Sequence, residues 1–287
     1  MTNSEANNRS VKVSVLTPLY NTNPVFLREM IESILNQTFR DFEFILLNDS
    51  PDNREIEEIV RSYQDPRIVY VKNESNLGIS ESRNKLLALS RGEYVAIFDH
   101  DDISCKERLE KQVDYLDSHR EVGVVGCHIK RIPKNKITRF PVENLDIKRE
   151  FIHSCAVPHT GSMIRKSVLV ENAIGWESAY SPAEDYMLWV KLIAKTMFHN
   201  IPEVLIHYRS YESNTSVRQK EKMRDRDALI RCYAEKEYPF LRKYGQKNKG
   251  WVFLFGIVPL IKIRSKNEIV NYYLLGVIKL CSVKRQV

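Results

Sequence analysis

The sequence predicts an α/β fold, a parallel sheet with helices on both faces, followed by a basic, aromatic-rich helical tail. Three observations carry that prediction. Short apolar runs alternate with helix-period runs from Val11 to about residue 126, the rhythm of parallel strands joined by crossover helices. One run, Tyr94 to Phe98, is apolar at every position, as a strand covered on both faces must be. That run then stops at Asp99-His100-Asp101-Asp102, three carboxylates within four residues. An open α/β sheet places its ligand at such a strand end.

The elements follow in order. Val11 to Leu16 is a β-branched strand ending at Thr17-Pro18. Asn23-Pro24 supplies a helix N-cap and a proline at the first helical position. Leu27, Met30, Ile31, Ile34 and Leu35 continue at helical spacing. Phe44 to Leu47 is a second strand, closed by Asn48-Asp49-Ser50-Pro51, with a helix from about Arg54 to Tyr63. Ile68 to Val71 is a short third strand, and Leu77-Gly78-Ile79 leads into a helix through Leu89. Tyr94 to Phe98 is the fourth strand, and a helix from Lys106 and a strand at Val122 to Val125 complete the unit. Punctuation is less regular from residue 127 to 216, where a helix is predicted after Ser181-Pro182 with Leu188, Leu192 and Ile193 on one face. The expected organisation is a frayed polar N-terminus over 1–10, a folded domain over 11–216 divided at 126, and a helical region over 217–287.

At 287 residues with 43% apolar and 28% charged content, the chain has the composition of a globular core. Its five scattered cysteines contain no CxxC pair, which points to reduced thiols in a cytosolic compartment rather than a disulfide frame or a zinc site. Met1 to Ser10 has no signal-peptide pattern, and no apolar run approaches the ~18 residues of a membrane-spanning helix. Residues 218–287 hold 17 Lys/Arg against 6 Asp/Glu, so the +7 chain has a basic tail on a mildly acidic body. Such a tail expects an anionic partner.

That tail carries an approximate repeat. Phe255-Gly256-Ile257-Val258-Pro259-Leu260-Ile261-Lys262-Ile263-Arg264 is echoed by Leu275-Gly276-Val277-Ile278-Lys279-Leu280 and then Lys284-Arg285. With Trp251, Phe253, Phe255, Tyr272 and Tyr273 among them, these segments fit an in-plane anchor on an anionic membrane surface. They fit equally a pair of hydrophobic helices packed on the folded domain or on a homodimer partner. Nucleic acid is excluded as a partner, because the tail is too apolar to track phosphates.

In an extended stretch residues i and i+2 face the same way, so Asp99 and Asp101 are expected to present their oxygens to one side. Two like charges that close are costly unless something positive lies between them. A hard divalent cation holding a diphosphate meets that need, since Mg²⁺ binds through one or two carboxylates plus substrate phosphates. The plainer alternative is that Asp102 caps the helix beginning near Lys106 and the other carboxylates are solvated.

Five segments then stand in order: Val15-Leu16-Thr17-Pro18-Leu19-Tyr20-Asn21; Leu46-Leu47-Asn48-Asp49-Ser50; Asn76-Leu77-Gly78-Ile79-Ser80-Glu81-Ser82-Arg83-Asn84; Phe98-Asp99-His100-Asp101-Asp102; and Ala183-Glu184-Asp185-Tyr186-Met187-Leu188. Together they resemble the GT-A glycosyltransferases of family 2, inverting enzymes that use nucleotide sugars. The resemblance spans about residues 11 to 216, and Tyr208-Arg209 followed by Ser216 adds to it.

The resemblance implies a nucleotide-binding half over 11–126 and an acceptor half over 127–216. It implies that Thr17, Pro18 and Tyr20 lie against the base and that Asp49 accepts a hydrogen bond from uracil N3–H. It further implies that Arg83 helps hold the nucleotide, that Asp99 contacts the ribose, and that Asp101 ligates Mn²⁺ or Mg²⁺. Asp185 matches the general base, which takes the acceptor's proton as its oxygen attacks the anomeric carbon opposite UDP. Asp102, His159 and Glu184 are candidates for the acceptor or donor-sugar side. Three positions depart from the family pattern: Asn48 where many relatives carry Asp, Lys191 in place of a common Arg, and Tyr211 in place of the usual His. The implied partners are a UDP-sugar donor and a saccharide or lipid-linked acceptor, in surface polysaccharide synthesis at the inner face of the cell membrane. A nucleotidyltransferase would need a glycine- and lysine-rich phosphate loop after the first strand, which Thr17 to Pro24 lacks. A catalytically inactive nucleotide-sugar scaffold would have no need of Asp101 and Asp185 together. No G-x-G-x-x-G follows the first strand, which excludes an ordinary dinucleotide-dependent dehydrogenase.

Overall fold

A computed structural model describes residues 11–211, 214–244, 249–254, 258–266, 269–274 and 278–284. They form two compact units that meet in sequence between Ile230 and Arg231. The expected fraying of residues 1–10 lies outside the described residues.

In the first unit β1 (Val13–Leu19), β2 (Phe42–Asn48), β3 (Ile68–Lys72) and β4 (Tyr94–Ile97) run parallel in the order β3-β2-β1-β4. The crossovers are α1 (Pro24–Leu35), α2 (Arg54–Ser62) and α3 (Ile79–Leu89). Every residue of β1, β2 and β4 is buried; β4 is accordingly apolar throughout, and the buried polar side chains of Ser14 in β1 and Glu43 in β2 pair with each other, Ser14 Oγ donating to Glu43 Oε1 at 2.6 Å. The N-cap of α1 is Asn23, whose side chain accepts from the backbone N–H of Val25 and Phe26 with Pro24 in the first turn. Met30, Ile31 and Ile34 of α1 then pack with Val13, Val15, Leu46 and Ala96 of the sheet.

Past β4 the sheet is mixed, not parallel throughout. β5 (Ile103–Ser104) forms one edge, and α4 (Arg108–Ser118) follows it. β6 (Val122–Ile132) pairs antiparallel with β7 (Lys136–Thr138) and, beyond α5 (Asn144–Glu150), with β8 (Met163–Arg165). β8 also runs antiparallel to β4. After α6 (Lys166–Glu171), a 3-10 turn at Ser178–Tyr180 and α7 (Glu184–Leu192), β9 (Met197–Arg209) returns parallel to β6 and antiparallel to β5. The chain continues through α8 (Thr215–Arg218) and α9 (Lys220–Glu237).

The second unit contains α10 (Pro239–Tyr244) and an antiparallel sheet of β10 (Lys249–Leu254), β11 (Val258–Lys266), β12 (Ile269–Leu274) and β13 (Ile278–Lys284). The helical expectation therefore holds for residues 220–244 and is corrected beyond them. Ile261-Lys262-Ile263-Arg264 alternates apolar and polar with period two, as a strand does.

Gln37, fully buried just past α1, ties that helix to the segment after the acidic residues. Its amide nitrogen donates to Ser33 O at 2.9 Å, Cys105 O at 2.8 Å and Ser104 Oγ at 3.1 Å, and its Oε1 accepts from Leu109 N at 3.0 Å. Gln37→Leu would keep the volume but leave the Leu109 N–H and the Cys105 carbonyl without that partner in the interior. The expected loss of unfolding free energy is about 2–4 kcal/mol, read in urea as a lower midpoint at unchanged slope.

Candidate active site

From β1 the chain steps outward through β2 to β3 and then crosses back to lay β4 on the other side of β1. The strand order reverses between β1 and β4, and ligands of open α/β sheets bind at the carboxyl ends flanking such a reversal. Asp99 to Asp102 leave the end of β4 at that point, after the fully buried Phe98.

His100 and Asp101 lie in a turn, so the extended alternation expected for Asp99 and Asp101 does not apply and the three carboxylates take separate partners. Asp101 Oδ2 accepts from Tyr211 Oη at 2.6 Å and Asn214 Nδ2 at 3.3 Å. Asp102 is fully buried, with Oδ1 accepting from Arg209 N at 2.8 Å and Oδ2 without a hydrogen-bond partner. Burial, with Asp101 and Asp99 close by, pushes its carboxyl well above the usual range. Asp102 does not cap α4: the N-cap there is Glu107, which makes no side-chain bond. Arg209 also donates through Nε to Asp101 O at 2.8 Å and through Nη2 to Glu29 at 2.5 Å, with its guanidinium 4.0 Å from the Phe26 ring centre.

Arg83, on α3, joins this cluster to the second acidic motif. It is 7% exposed. Its Nη1 donates to Glu184 Oε1 at 2.6 Å and its Nη2 to Asp99 Oδ1 at 3.2 Å. Glu184 and Asp185 open α7. Burial raises the Asp99 carboxyl against the opposing pull of Arg83. Burial and then Glu184 push Asp185 up to about 7, again against Arg83. Asp185 Oδ1 accepts from Tyr186 N at 2.7 Å, and Glu184 Oε2 is buried without a partner.

His159 is 7% exposed beside this group, and its Nε2 accepts from Trp176 Nε1 at 2.9 Å. An indole nitrogen only donates, so Nδ1 carries the proton, and that N–H has no partner. Burial and the positive charge of Arg83 drive His159 well below the usual imidazole range. It is neutral at pH 7 and serves as a donor, not as a base. Trp176 is held in turn by Asn84 of α3, which accepts from Trp176 N at 2.9 Å and donates to its carbonyl at 2.8 Å.

The nucleotide-side expectations divide. Tyr20 is 54% exposed at the end of β1, free to lie against a base, whereas Thr17 and Pro18 are buried within the strand. Asp49 is 3% exposed and staples β2 to the loop before α3. Its Oδ1 accepts from Asn73 Nδ2 at 2.7 Å and Leu77 N at 2.8 Å, and its Oδ2 from Gly78 N at 2.9 Å. A carboxylate has about four acceptor sites, so these three bonds leave one on Oδ2 for a ligand. Gly78 has φ +82°, a conformation glycine supplies without strain.

The donor set suits a hard cation. Among the described residues, hydrogen bonds reach the Asp101 carboxylate only through Oδ2, leaving Oδ1 to bind a cation beside Asp99, and all these ligands are oxygens of the kind Mn²⁺ and Mg²⁺ prefer. Among the described residues no group of three or more His, Cys, Asp or Glu side chains gathers at metal spacing, and a site completed by substrate phosphates needs none. Sequence reasoning missed Asn73, Asn84, Trp176 and Asn214; Asn73 reaches Asp49 across 24 positions, Asn84 reaches Trp176 across 92 and Asn214 reaches Asp101 across 113. Only Asn84, inside the Ser-Arg-Asn run, carried any local signal.

Comparison with known proteins identifies the family. The model of glycosyl transferase family 2 matches residues 14–171, more than half of the chain. An uncharacterized glycosyltransferase of Methanocaldococcus jannaschii is 37% identical over 205 residues, covering 69% of this chain and 70% of that protein. The minor teichoic acid biosynthesis protein GgaB of Bacillus subtilis is 32% identical over 224 residues, covering 73% of this chain but only 24% of its own length. The structure of S. aureus TarS 1-349 in complex with UDP-GlcNAc superimposes with a TM-score of 0.64 at 20% identity, covering 82% of this chain and 74% of that one, a likeness of fold. With its GT-A-type sheet and a family match across most of that sheet, the chain belongs to glycosyl transferase family 2.

Proposed function

We propose that this glycosyltransferase moves a sugar from a UDP-sugar to a hydroxyl of a saccharide or lipid-linked acceptor, with inversion and with the help of Mn²⁺ or Mg²⁺. One observation carries the proposal: Arg83 bridges Asp99 and Glu184 beside Asp185 at the switch point. A nucleotide side and an acceptor side thereby meet around one buried cation. A surface-polysaccharide destination is supported by similarity to a teichoic acid biosynthesis protein.

In this reading Tyr20 lies against the base, Asp49 Oδ2 accepts from uracil N3–H, and Asp99 accepts from the ribose. Asp101, with Asp99, holds a divalent cation, which when bound offsets charge on the departing diphosphate. Arg83 keeps Asp99 and Glu184 in place and tempers the repulsion among the carboxylates. Asp185 takes the proton from the acceptor hydroxyl, whose oxygen then attacks the anomeric carbon from the face opposite UDP. A base poised near 7 is about half ionised at neutral pH yet still basic enough to accept that proton. The unpaired Glu184 Oε2 and the His159 Nδ1–H offer one acceptor and one donor for sugar hydroxyls. The single displacement converts an α-linked donor into a β-glycoside.

Asp185→Asn should lower kcat about 10²–10⁴-fold and change UDP affinity by less than about threefold; equal losses in both would remove Asp185 from the chemistry. Only the carboxylate form is a base, so kcat/KM should fall as pH drops below about 7, with the midpoint absent in Asp185→Asn. Thermal unfolding against a nucleotide panel, with Mn²⁺ or with EDTA, tests the donor. UDP at ~100 times its Kd should stabilise by about 2.7 kcal/mol, only with metal and not in Asp101→Ala. Preference for a guanosine nucleotide would overturn the uridine assignment. Tyr211→Phe frees Asp101 Oδ2 of one donor and should tighten Mn²⁺ binding severalfold, measured by titration of the free-ion paramagnetic signal.

A further inference from the structure

Residues 122–142 contain five Lys/Arg and no Asp or Glu. All five lie on or beside the β6–β7 hairpin: Lys130 and Arg131 near the end of β6, Lys134 in the turn, Lys136 in β7 and Arg139 just after it. Lys134, Lys136 and Arg139 are exposed, and among the described residues none of the five forms an ion pair with a carboxylate. Opposed residues of an antiparallel pair share a face, and successive residues alternate. Lys130 therefore shares one face with Ile137, and Arg131 shares the other with Lys136. Arg131 is held there by donating Nε to Thr138 Oγ1 at 3.2 Å, with its guanidinium 5.0 Å from the Tyr208 ring centre. Ile137, 39% exposed, sets an apolar side chain among the cations. β4 and β6 both run antiparallel to β8 between them, so they point the same way. The hairpin turn thus lies at the end of the sheet where Asp99 to Asp102 leave β4. Its base is tied to that acidic turn: Ile132 O accepts from Ser210 N at 2.9 Å, and Arg209, opposite Ile132 in register, bonds Asp101 O and Asp102 Oδ1.

We propose that this hairpin docks on an anionic lipid bilayer, with Lys134, Lys136 and Arg139 among the headgroups and Ile137 at the acyl boundary. Charge complementarity selects an anionic surface, and each Lys or Arg close to one raises partitioning about fivefold. The placement of the cations selects a bilayer. A single phosphate is held by cations that converge on it, whereas these lie on both faces and in the exposed turn, where a layer of headgroups can surround them. Ile137 separates a bilayer from a soluble polyanion, because only the bilayer offers an apolar phase beneath the charge. Docking in this way turns the end of the sheet that carries the acidic turn towards the membrane, where lipid-linked acceptors reside. The docking surface is independent of the donor assignment.

The test is sedimentation of the full chain with vesicles of phosphatidylcholine alone or mixed with phosphatidylglycerol, at low and high salt. The expected result is binding to the mixed vesicles only, weakened by salt, and reduced about a hundredfold in Lys134→Gln/Lys136→Gln/Arg139→Gln. Ile137→Ser, which leaves every charge in place, should bind the mixed vesicles several-fold more weakly. Both variants keep residues 217–287 unchanged, so a loss of binding is assigned to the hairpin. Thermal unfolding, with and without UDP and Mn²⁺, is read in parallel, so that loss of fold or of the donor site is seen separately. The single variant supplies the readout should the triple one not fold. Equal sedimentation with both vesicle types would overturn the proposal, as would unchanged binding by a folded variant of either kind. Binding to inorganic polyphosphate that the triple variant loses, without binding to mixed vesicles, would overturn it in favour of a soluble polyanion.

Discussion

Arg83 is a cation almost wholly withdrawn from water, and it persists there because carboxylates from two distant stretches face it. Asp99 comes from the end of β4 and Glu184 from the start of α7, with Asp185 beside them. Burying any of these charges alone would cost several kcal/mol, whereas together they offset one another's desolvation. The same balance sets the chemistry. Arg83 restrains the rise of both Asp99 and Asp185, and its repulsion adds to the burial that lowers His159.

The sheet makes that meeting unavoidable. Reversal of strand order beside β1 aims the end of β4 at the opening of α3, where Asp49 and Gly78 fix the backbone. The long β9 then returns Arg209, Tyr211 and Asn214 to the acidic turn, whose Asp101 and Asp102 they bond. Asp101 is thus held through Oδ2 by donors from the segment after β9, which orient the Oδ1 left for a cation and so link donor binding to that segment.

What the sequence disclosed was local. The Asn23-Pro24 cap, the apolar β4 and the acidic turn rest on neighbours in the chain, and each lies where its pattern puts it. Strand order does not lie in local pattern, so the antiparallel β8, three residues long, gave no warning that the sheet turns mixed. The direction of Arg83 depends on α7, 101 residues away, and no spacing reveals it. The roles of Tyr211 and Asn214 at Asp101 arise from contacts 110 and 113 positions apart. The tail is a different failure: the alternation in Ile261 to Arg264 was present, but apolar runs that also suit helices outweighed it.

The claim that one guanidinium unites the two halves is tested most directly by a double-mutant cycle. Unfolding free energies would be measured for the unaltered chain, Asp99→Asn, Glu184→Gln and the double variant. Both carboxylates act on Arg83, so the two losses should be non-additive, with a coupling of about 0.5–3 kcal/mol. Losses that add to within about 0.3 kcal/mol would show two independent carboxylates and contradict the account.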